Sequence, residues 1–447
     1  MKEFKFLFRL VLLLFLLEAK AQENLKPLSL QESISYAIEN SPRVQTALLD
    51  ITKNDYKVKE ILSIGLPQVN INGQYIYNVQ LATQLLPGEF FGEPGKQVGV
   101  QFGTKMNTLF TAEVNQMLFS KTFFIGLGAT RKLKKLYEQQ VEKTKDDLGY
   151  EIARLYYSIQ ITQKQRNILL ANLQQVNRLL KLTQKQQENG FAKKIDVDQL
   201  NVNRINLENQ LKNLELQVEQ LKQALKFYMA MPLDQAIALT DTIQEAAYII
   251  PDLQAFIADF SQKKDLTLLE VQRELNDLNV EQYRAGYWPS LYLFGNYNYQ
   301  GQGNTFSELQ WFNFGSVGLT LSVPIFDGFK KKSQIQQAQI DQSQLAQARS
   351  LTEQSLRLQY NNAIQQLQTN INNLQVLSEN RNVAEEVYRI AQNRFTEGVA
   401  SITEVLSAET SMREAQTNYL TTLLEVKLAE IDLQHAKGTL LNTILNK

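Results

Sequence analysis

Residues 66–77 read LPQVNINGQYIY, and residues 288–299 read WPSLYLFGNYNY. A proline, a glycine and two tyrosines occupy matching positions in the two stretches, at a constant shift of 222 residues. Apolar and polar side chains alternate along both stretches, which is the pattern of a β-strand with two different faces. The recurrence of such a stretch within one chain indicates an internal repeat.

Two further matches follow in the same order. Residues 114–119 align with residues 321–326 at a shift of 207, and residues 190–197 align with residues 398–405 at a shift of 208. The drop from 222 to 207 predicts a longer loop in the first copy, which we place in the glycine-containing residues 78–109. Three matches in one order predict a tandem duplication.

The duplication predicts the domain organisation. It assigns residues 22–230 to a first structural repeat, residues 231–261 to a linking, equatorial segment, and residues 262–447 to a second repeat with a C-terminal segment. Each repeat is expected to contain one helix, two strands and then two long helices. The predicted helices span 30–62, 127–188 and 193–228 in the first repeat, and 262–285, 330–396 and 401–437 in the second.

Heptad-like spacing supports the long helices. Leu207, Leu211, Leu214 and Val218 follow one another at steps of four and three residues, as in a coiled coil. At about 1.5 Å per residue, about sixty helical residues form a rod of roughly 90 Å. An ordinary antiparallel coiled coil would explain such rods, but it would not explain the alternating segments between them.

The alternating segments have the length of membrane strands. Each is about nine residues long, close to a tilted transmembrane β-strand, and the tyrosines at one end suit an interfacial aromatic girdle. In residues 317–325 the apolar side chains again take every second position, ending at Val323 and Ile325. A half-buried sheet in a soluble domain is the alternative, and alternation alone does not separate the two.

If the four strands cross a membrane, they cannot do so in a single chain. About eight strands is the minimum for a closed barrel. An open sheet edge in lipid leaves backbone groups unpaired, at several kcal/mol each. Strands from several chains are therefore expected to share one barrel.

The first 21 residues are predicted to be a secretory signal peptide. Lys2, Lys5 and Arg9 form a basic region, residues 10–17 form a short apolar run, and residues 19–21 (AKA) fit a small-residue cleavage site. A membrane anchor helix is the alternative, but a spanning helix needs about 20 apolar residues.

Composition argues against several kinds of protein. Basic and acidic residues both total 46, so there is no basic excess for nucleic acid. The chain has no cysteine, which excludes disulfides and thiolate metal sites. His435 is the one histidine, and on its predicted helix it is interpreted as a surface or packing residue. We expect no enzyme activity, metal or cofactor.

Four segments carry a family resemblance. Residues 394–409 read RFTEGVASITEVLSAE, residues 189–197 read NGFAKKIDV, residues 323–328 read VPIFDG, and residues 438–440 read GTL. Together they resemble the helical-hairpin tips, the strand-to-helix junction and the final-helix ending of the TolC-like outer-membrane efflux protein family. The resemblance covers nearly the whole mature chain.

The resemblance implies a mainly α protein with a small β part. Three identical chains would share a twelve-strand barrel in the outer membrane, continued by a twelve-helix periplasmic tunnel. Members of the family dock on a periplasmic adaptor (membrane fusion) protein and, with an inner-membrane transporter, export drugs, metals or proteins. The expected partners are thus two further copies, the adaptor, the transporter and outer-membrane lipid.

The resemblance also implies a periplasmic gate. Asp196 and Glu404 fall at acidic or polar positions of the family's constriction, and threefold symmetry would turn each into a carboxylate ring. Ser407 stands where the family often has a second aspartate, and Phe395 matches an aromatic gate position but has no hydroxyl. Both acids also lie in the first turn of a predicted helix, where the macrodipole stabilises them without any pore. The neighbouring lysines favour that alternative for Asp196.

The hairpin tips are the implied docking site for the adaptor. The residues assigned to it are Gly190, Lys193, Lys194, Gly398 and Ala400. The two glycines are expected in turns that a residue without Cβ makes easily, and a plain helix cap explains them equally well. Ala400 replaces a basic residue that can brace the gate in the family, so the gate is expected to be held by other contacts or more loosely.

Two other functions compete with an export channel. A periplasmic coiled-coil adaptor or scaffold would have the rods but no barrel strands. A secreted hydrolase would need a nucleophile with a base, or a pair of carboxylates, and the sequence shows no such constellation.

Overall fold

The computed structural model describes residues 26–243, 260 and 263–446. The predicted signal peptide and the middle of the predicted linking segment lie outside these residues. The chain forms two compact units. The helical unit contains Met1–Leu49, Glu138–Leu269 and Ala348–Lys447, and the sheet unit contains Asp50–Tyr137 and Glu270–Gln347. Each unit therefore takes residues from both predicted repeats.

The described residues contain eight α-helices and eight β-strands. The helices are α1 (Leu30–Asn40), α2 (Pro42–Ile64), α3 (Lys121–Glu188), α4 (Lys194–Met229), α5 (Lys264–Ala285), α6 (Lys330–Thr396), α7 (Ile402–Lys437) and α8 (Leu440–Leu445). The strands are β1 (Lys26–Leu28), β2 (Gln68–Tyr77), β3 (Thr83–Pro87), β4 (Gln97–Gln101), β5 (Met106–Ser120), β6 (Ile237–Leu239), β7 (Ser290–Gly303) and β8 (Gln310–Ser322). The predicted fold class, mainly α with a small β part, is confirmed.

The long helices begin and end close to their predicted bounds, but the helix predicted at 30–62 was wrong as a single element. It is divided into α1 and α2 at Ser41, whose backbone is extended at φ −64° and ψ 125°. Pro42 follows, and its ring disfavours helical geometry in the residue before it.

Four strands of the sheet unit form one antiparallel sheet in the order β2-β5-β7-β8. Gln68 pairs with Asn115, Met106 with Gly303, and Ser290 with Ser322. In the described part of the chain β2 and β8 are the two edges of this sheet. All ten side chains of β2 are exposed, and so are all but one of those of β8. The two edge strands, which have an unpaired side, are therefore also the most exposed to solvent.

Two details of the strand prediction are corrected. The predicted loop at 78–109 contains a small hairpin, β3 paired with β4, and the start of β5. Val323 and Ile325 are not in a strand, because β8 ends at Ser322. Pro324 has no backbone N–H to continue the ladder.

Within the described residues, no helix combines the length and the apolar character that crossing a bilayer requires.

Tyr156 holds the β1–β6 pair on α3 inside the helical unit. Its side chain is completely buried. The hydroxyl donates a hydrogen bond to the Leu28 carbonyl at 2.9 Å and accepts one from the Asp241 N–H at 3.3 Å. The Asp241 carboxylate in turn accepts from the Leu30 N–H at 2.8 Å, at the start of α1. The Tyr156 hydroxyl thus joins the end of β1 to the segment that follows β6.

We expect Tyr156→Phe to lower the free energy of unfolding by about 0.5–1.5 kcal/mol, because it removes the hydrogen bonds to the Leu28 carbonyl and from the Asp241 N–H, while the Leu28 carbonyl keeps its bond from the Thr240 N–H. Tyr56→Phe is the matched control, since Tyr56 is 65% exposed. Denaturant or thermal unfolding of the purified protein measures both. Equal stability of the two variants would show that the hydroxyl does not hold this pair.

Candidate functional site

The two turns that join the long helices share one backbone design. At the first turn Gly190 has φ +79°, and at the second Gly398 has φ +77°. The residue after each glycine donates its N–H to a carbonyl in the last turn of the helix: Phe191 to Gln186 and Val399 to Arg394, both at 2.8 Å. This is the Schellman termination, in which an αL residue closes the helix.

The need for glycine at these turns comes from the backbone angle alone. A Cβ added to Gly190 or Gly398 would meet no atom within 4 Å. A side chain would therefore fit in space but would be strained by the left-handed conformation. Both glycines lie where the sequence placed them, as the residue just past a helix end.

The helices that follow the turns begin differently. Before α4, the Asp196 carboxylate accepts a hydrogen bond from the Lys193 backbone N–H at 3.0 Å. Before α7, the Ser401 hydroxyl accepts from the Glu404 N–H at 3.3 Å. The Asp196 carboxylate thus caps a backbone N–H at the start of its own helix. At α7 the Ser401 hydroxyl is the cap instead, so the Glu404 carboxylate is available to another partner.

That partner is Arg394. Its guanidinium donates to the Glu404 carboxylate at 2.7 Å and joins the last turn of α6 to the first turn of α7. The two side chains are 48% and 42% exposed, so solvent screens the pair and its contribution to stability is at most about 1 kcal/mol. Sequence reasoning missed Arg394, although it lies within the quoted tip segment.

The other predicted site residues divide into packed and exposed groups. Phe395 is 9% exposed and belongs to a core cluster formed by α3, α4, α6 and α7, and Ala400 packs against the same cluster. Lys193, Lys194 and Ser407 are exposed. The most exposed large apolar side chain at the tips is Phe191, at 86%. Phe395 therefore supports the hairpins from inside, while the outer surface of the tips carries both basic and acidic side chains, the latter including Glu188 and Glu397, and the exposed ring of Phe191.

A buried carboxylate lies further along α7. The Glu409 side chain is 2% exposed. It lies 3.5 Å from Arg413 Nε and accepts a hydrogen bond from Asn203 Nδ2 at 3.4 Å. Burial raises the pKa of Glu409, and Arg413 and Asn203 oppose that rise.

The polar contacts continue along the same face of α7. Gln416 accepts from Asn172 of α3 at 3.0 Å and donates to Glu385 of α6 at 2.9 Å. Arg413 also donates to Gln210 of α4 at 3.2 Å. Positions 409, 413 and 416 are spaced at four and three residues, as expected for one helix face. Sequence reasoning missed these buried polar residues, because residues on a solvent-exposed helix face have the same spacing.

His435 lies in the last turn of α7. Its ring stacks on Tyr150 with centroids 4.3 Å apart, and Nε2 is 3.5 Å from the Asp146 carboxylate. The residue is therefore packed between α7 and α3. Across the residues that the structure describes, no group of three or more histidine or acidic side chains is arranged to bind a metal ion.

Comparison with known proteins adds a family and several relatives. The model of the family described as "Outer membrane efflux protein" matches residues 33–230 and 261–439. The outer membrane protein TolC of Vibrio cholerae is 23% identical over 433 residues, covering 92% of this chain and 91% of that protein.

Solved structures share the fold. The outer membrane protein VceC from Vibrio cholerae has a TM-score of 0.69 at 18% identity, with 92% of this chain and 96% of that chain covered. The Campylobacter jejuni CmeC outer membrane channel has a TM-score of 0.71 at 14% identity, with 92% and 86% covered.

We expect Gly398→Ala to destabilise the second tip by about 1–2 kcal/mol, the cost of an L residue in the left-handed region. Gly128→Ala is the matched control, because Gly128 lies inside α3 with open space for a Cβ, where alanine favours the helix. Hydrogen exchange at the Val399 amide measures the opening of the turn. Unchanged protection in Gly398→Ala would contradict the account of the turn.

Glu409 should make stability depend on pH. Because burial raises the pKa of Glu409 in the folded state above its ordinary value of about 4.5, the native state holds this proton more tightly than the unfolded state does. The stabilisation is present below about 4.5 and is lost as pH rises through the folded pKa. We expect Glu409→Gln to remove this loss from thermal unfolding curves recorded from about pH 5 to 7. An identical pH dependence in both proteins would contradict the assignment, and Glu188→Gln, at an exposed position, is the control.

Proposed function

The chain belongs to the outer membrane efflux protein family, and from this premise we propose that three copies form a conduit that passes substrates from the periplasm to the exterior. The protein is an outer-membrane efflux channel with a periplasmic helical extension. Family membership sets aside the periplasmic scaffold as an alternative. We assign the chain no catalytic role, because transport through an open tube makes or breaks no bond.

The trimer is supported by the two edges of the four-stranded sheet. β2 and β8 are both exposed along nearly their whole length. Two copies would supply eight strands, and a barrel of that size is filled by its own side chains. Three copies would supply twelve strands, the smallest such assembly with room for a lumen. Closure also pairs every edge backbone group, each of which costs several kcal/mol if left unpaired in lipid.

We propose that residues 22–230 and 262–447 are structural repeats and that residues 231–261 belong to an equatorial belt. Each repeat contains a helix or helix pair, two strands of the large sheet and two long helices. The β1–β6 pair supports the belt assignment, because it ties the chain after α4 back to the beginning of the first repeat.

We propose that the two hairpin tips dock on a periplasmic adaptor protein, which links the channel to an inner-membrane transporter. The residues assigned to docking are Gly190, Lys193, Lys194, Gly398 and Ala400. The exposed lysines and the exposed ring of Phe191 support this assignment, because they offer charged and apolar contacts to a partner. The residues assigned to the gate are Asp196, Glu404, Ser407 and Phe395.

Within this gate the proposed lock is the Arg394–Glu404 pair. It holds α6 and α7 together at the tip of the second hairpin, in place of the bracing cation that Ala400 lacks. Since the pair is half exposed, it is weak enough to break when the tips move. Asp196, which caps its own helix, would shape the constriction without locking it.

Ion selectivity in planar bilayers tests the gate. Glu404→Gln should lower the preference for cations, and Arg394→Gln should raise it by leaving the carboxylate ring unpaired. We expect a change of about two- to fivefold in the permeability ratio, equivalent to about 0.5–1 kcal/mol. Asp234→Asn, exposed and remote from the tips in sequence, should leave the ratio unchanged. Unaltered selectivity in both tip variants would remove Glu404 from the pore, and a detergent-extracted monomer without conductance would contradict the trimer.

A further inference from the structure

Four chain segments connect the sheet to the helices of the sheet unit. They are residues 62–68, 118–124, 284–290 and 323–332, and together we call them the junction belt. In an outer-membrane channel with a periplasmic helical extension, these strand ends face the periplasm. The opposite strand ends, joined by residues 78–105 and 304–309, face the exterior.

Charge is distributed unequally between the two ends of the sheet. The junction belt carries five cations and one acid: Lys121, Arg284, Lys330, Lys331, Lys332 and Asp327. The outer loops carry three glutamates and two lysines: Glu89, Glu93, Glu308, Lys96 and Lys105. The excess of positive charge is therefore confined to the periplasmic end.

Aromatic and apolar side chains accompany these cations. Exposed Val317, Leu319 and Leu321 of β8 are followed by exposed Ile325, Phe326 and Phe329, and then by the lysines. The order from aliphatic to aromatic to basic along the chain is the order of a bilayer from its hydrocarbon core to its headgroups. Lysine side chains at such a position lay their stems along apolar surface and extend the ammonium into the headgroup layer.

Two of the lysines are held by aromatic rings of the belt. Lys121 Nζ lies 3.8 Å from the Trp288 ring centre. Lys331 Nζ lies 5.1 Å from the Tyr287 ring centre and 3.1 Å from the Asp327 carboxylate. These contacts fix the cations beside the ring layer.

Lys330 and Lys332 are different. Both are exposed, and among the described residues neither forms an ion pair. Each ammonium is therefore accessible to an external partner.

We propose that the junction belt binds anionic phospholipid headgroups of the periplasmic leaflet, with Lys330 and Lys332 as the principal contacts. The proposal rests on the membrane placement given above. Charge complementarity selects the lipid, because an uncompensated cation beside a membrane surface attracts anionic headgroups. A zwitterionic headgroup offers no net charge to match it.

The two tryptophans of the chain, Trp288 and Trp311, allow a direct test. Trp288 lies in the belt, and Trp311 lies at the outer end of the sheet, stacked on Tyr299 with ring centres 4.6 Å apart. Trp311→Phe leaves a reporter at the periplasmic end, and Trp288→Phe leaves one at the outer end. Each variant is reconstituted as the full assembly in vesicles of phosphatidylcholine with brominated phosphatidylglycerol, or the reverse, and tryptophan quenching reports which lipid is adjacent.

We expect brominated phosphatidylglycerol to quench Trp288 with about a fivefold preference at low salt, the equivalent of about 1 kcal/mol. The preference should fall in high salt and should fall to about twofold or less in Lys330→Gln/Lys332→Gln. Trp311 should show no preference. The matched control Lys96→Gln/Lys105→Gln, at the outer end, should keep the wild-type preference at Trp288.

Equal quenching of Trp288 by both lipids, or a preference that survives Lys330→Gln/Lys332→Gln, would overturn the proposal. An equal preference at Trp311 would also overturn it, because it would show a general affinity of the protein for anionic lipid. Loss of all quenching, by either brominated lipid, would instead contradict the membrane placement on which the proposed channel depends.

Discussion

The structure depends on one constraint, which is that a sheet with two open edges cannot remain in lipid. In the described chain β2 and β8 have neighbours on one side only. Their unpaired N–H and C=O groups would each cost several kcal/mol in hydrocarbon, far more than the few kcal/mol by which a domain is usually stable. In the proposed trimer, pairing with adjacent copies removes that cost, so the sheet enters the membrane as part of the assembly.

The long hairpins meet a different requirement, since the proposed gate needs them to be stable and still able to move at one end. Near the tips, Leu200, Leu207 and Phe395 lie in a packed apolar cluster. Further along α7, Glu409 and Gln416 replace apolar contacts with polar ones. A buried polar line is weaker than an apolar core when its partners are imperfectly satisfied, and both Glu409 Oε1 and Arg413 Nε lack a hydrogen-bond partner.

At the tips, the two hairpins have similar turns but differ in the residue that caps the following helix. Both close with a left-handed glycine, yet Asp196 caps α4 while Ser401 caps α7. Because the serine caps the second helix, Glu404 is left to pair with Arg394. A difference of one capping residue therefore decides which hairpin carries an exposed ion pair, and in the proposed gate it gives the two proposed repeats different roles.

The sequence by itself determined the four strands of the large sheet, the long helices and the turn glycines, because alternation, heptad spacing and the backbone freedom of Gly190 and Gly398 are local properties. It also indicated the family, from segments that are each local. It did not show the Arg394–Glu404 pair or the burial of Glu409. These depend on which helix faces meet across the hairpins, and only tertiary packing decides that. A charged residue on a helix has the same spacing whether water or another helix covers it, so the physical difference appears only when the neighbouring helices are in place.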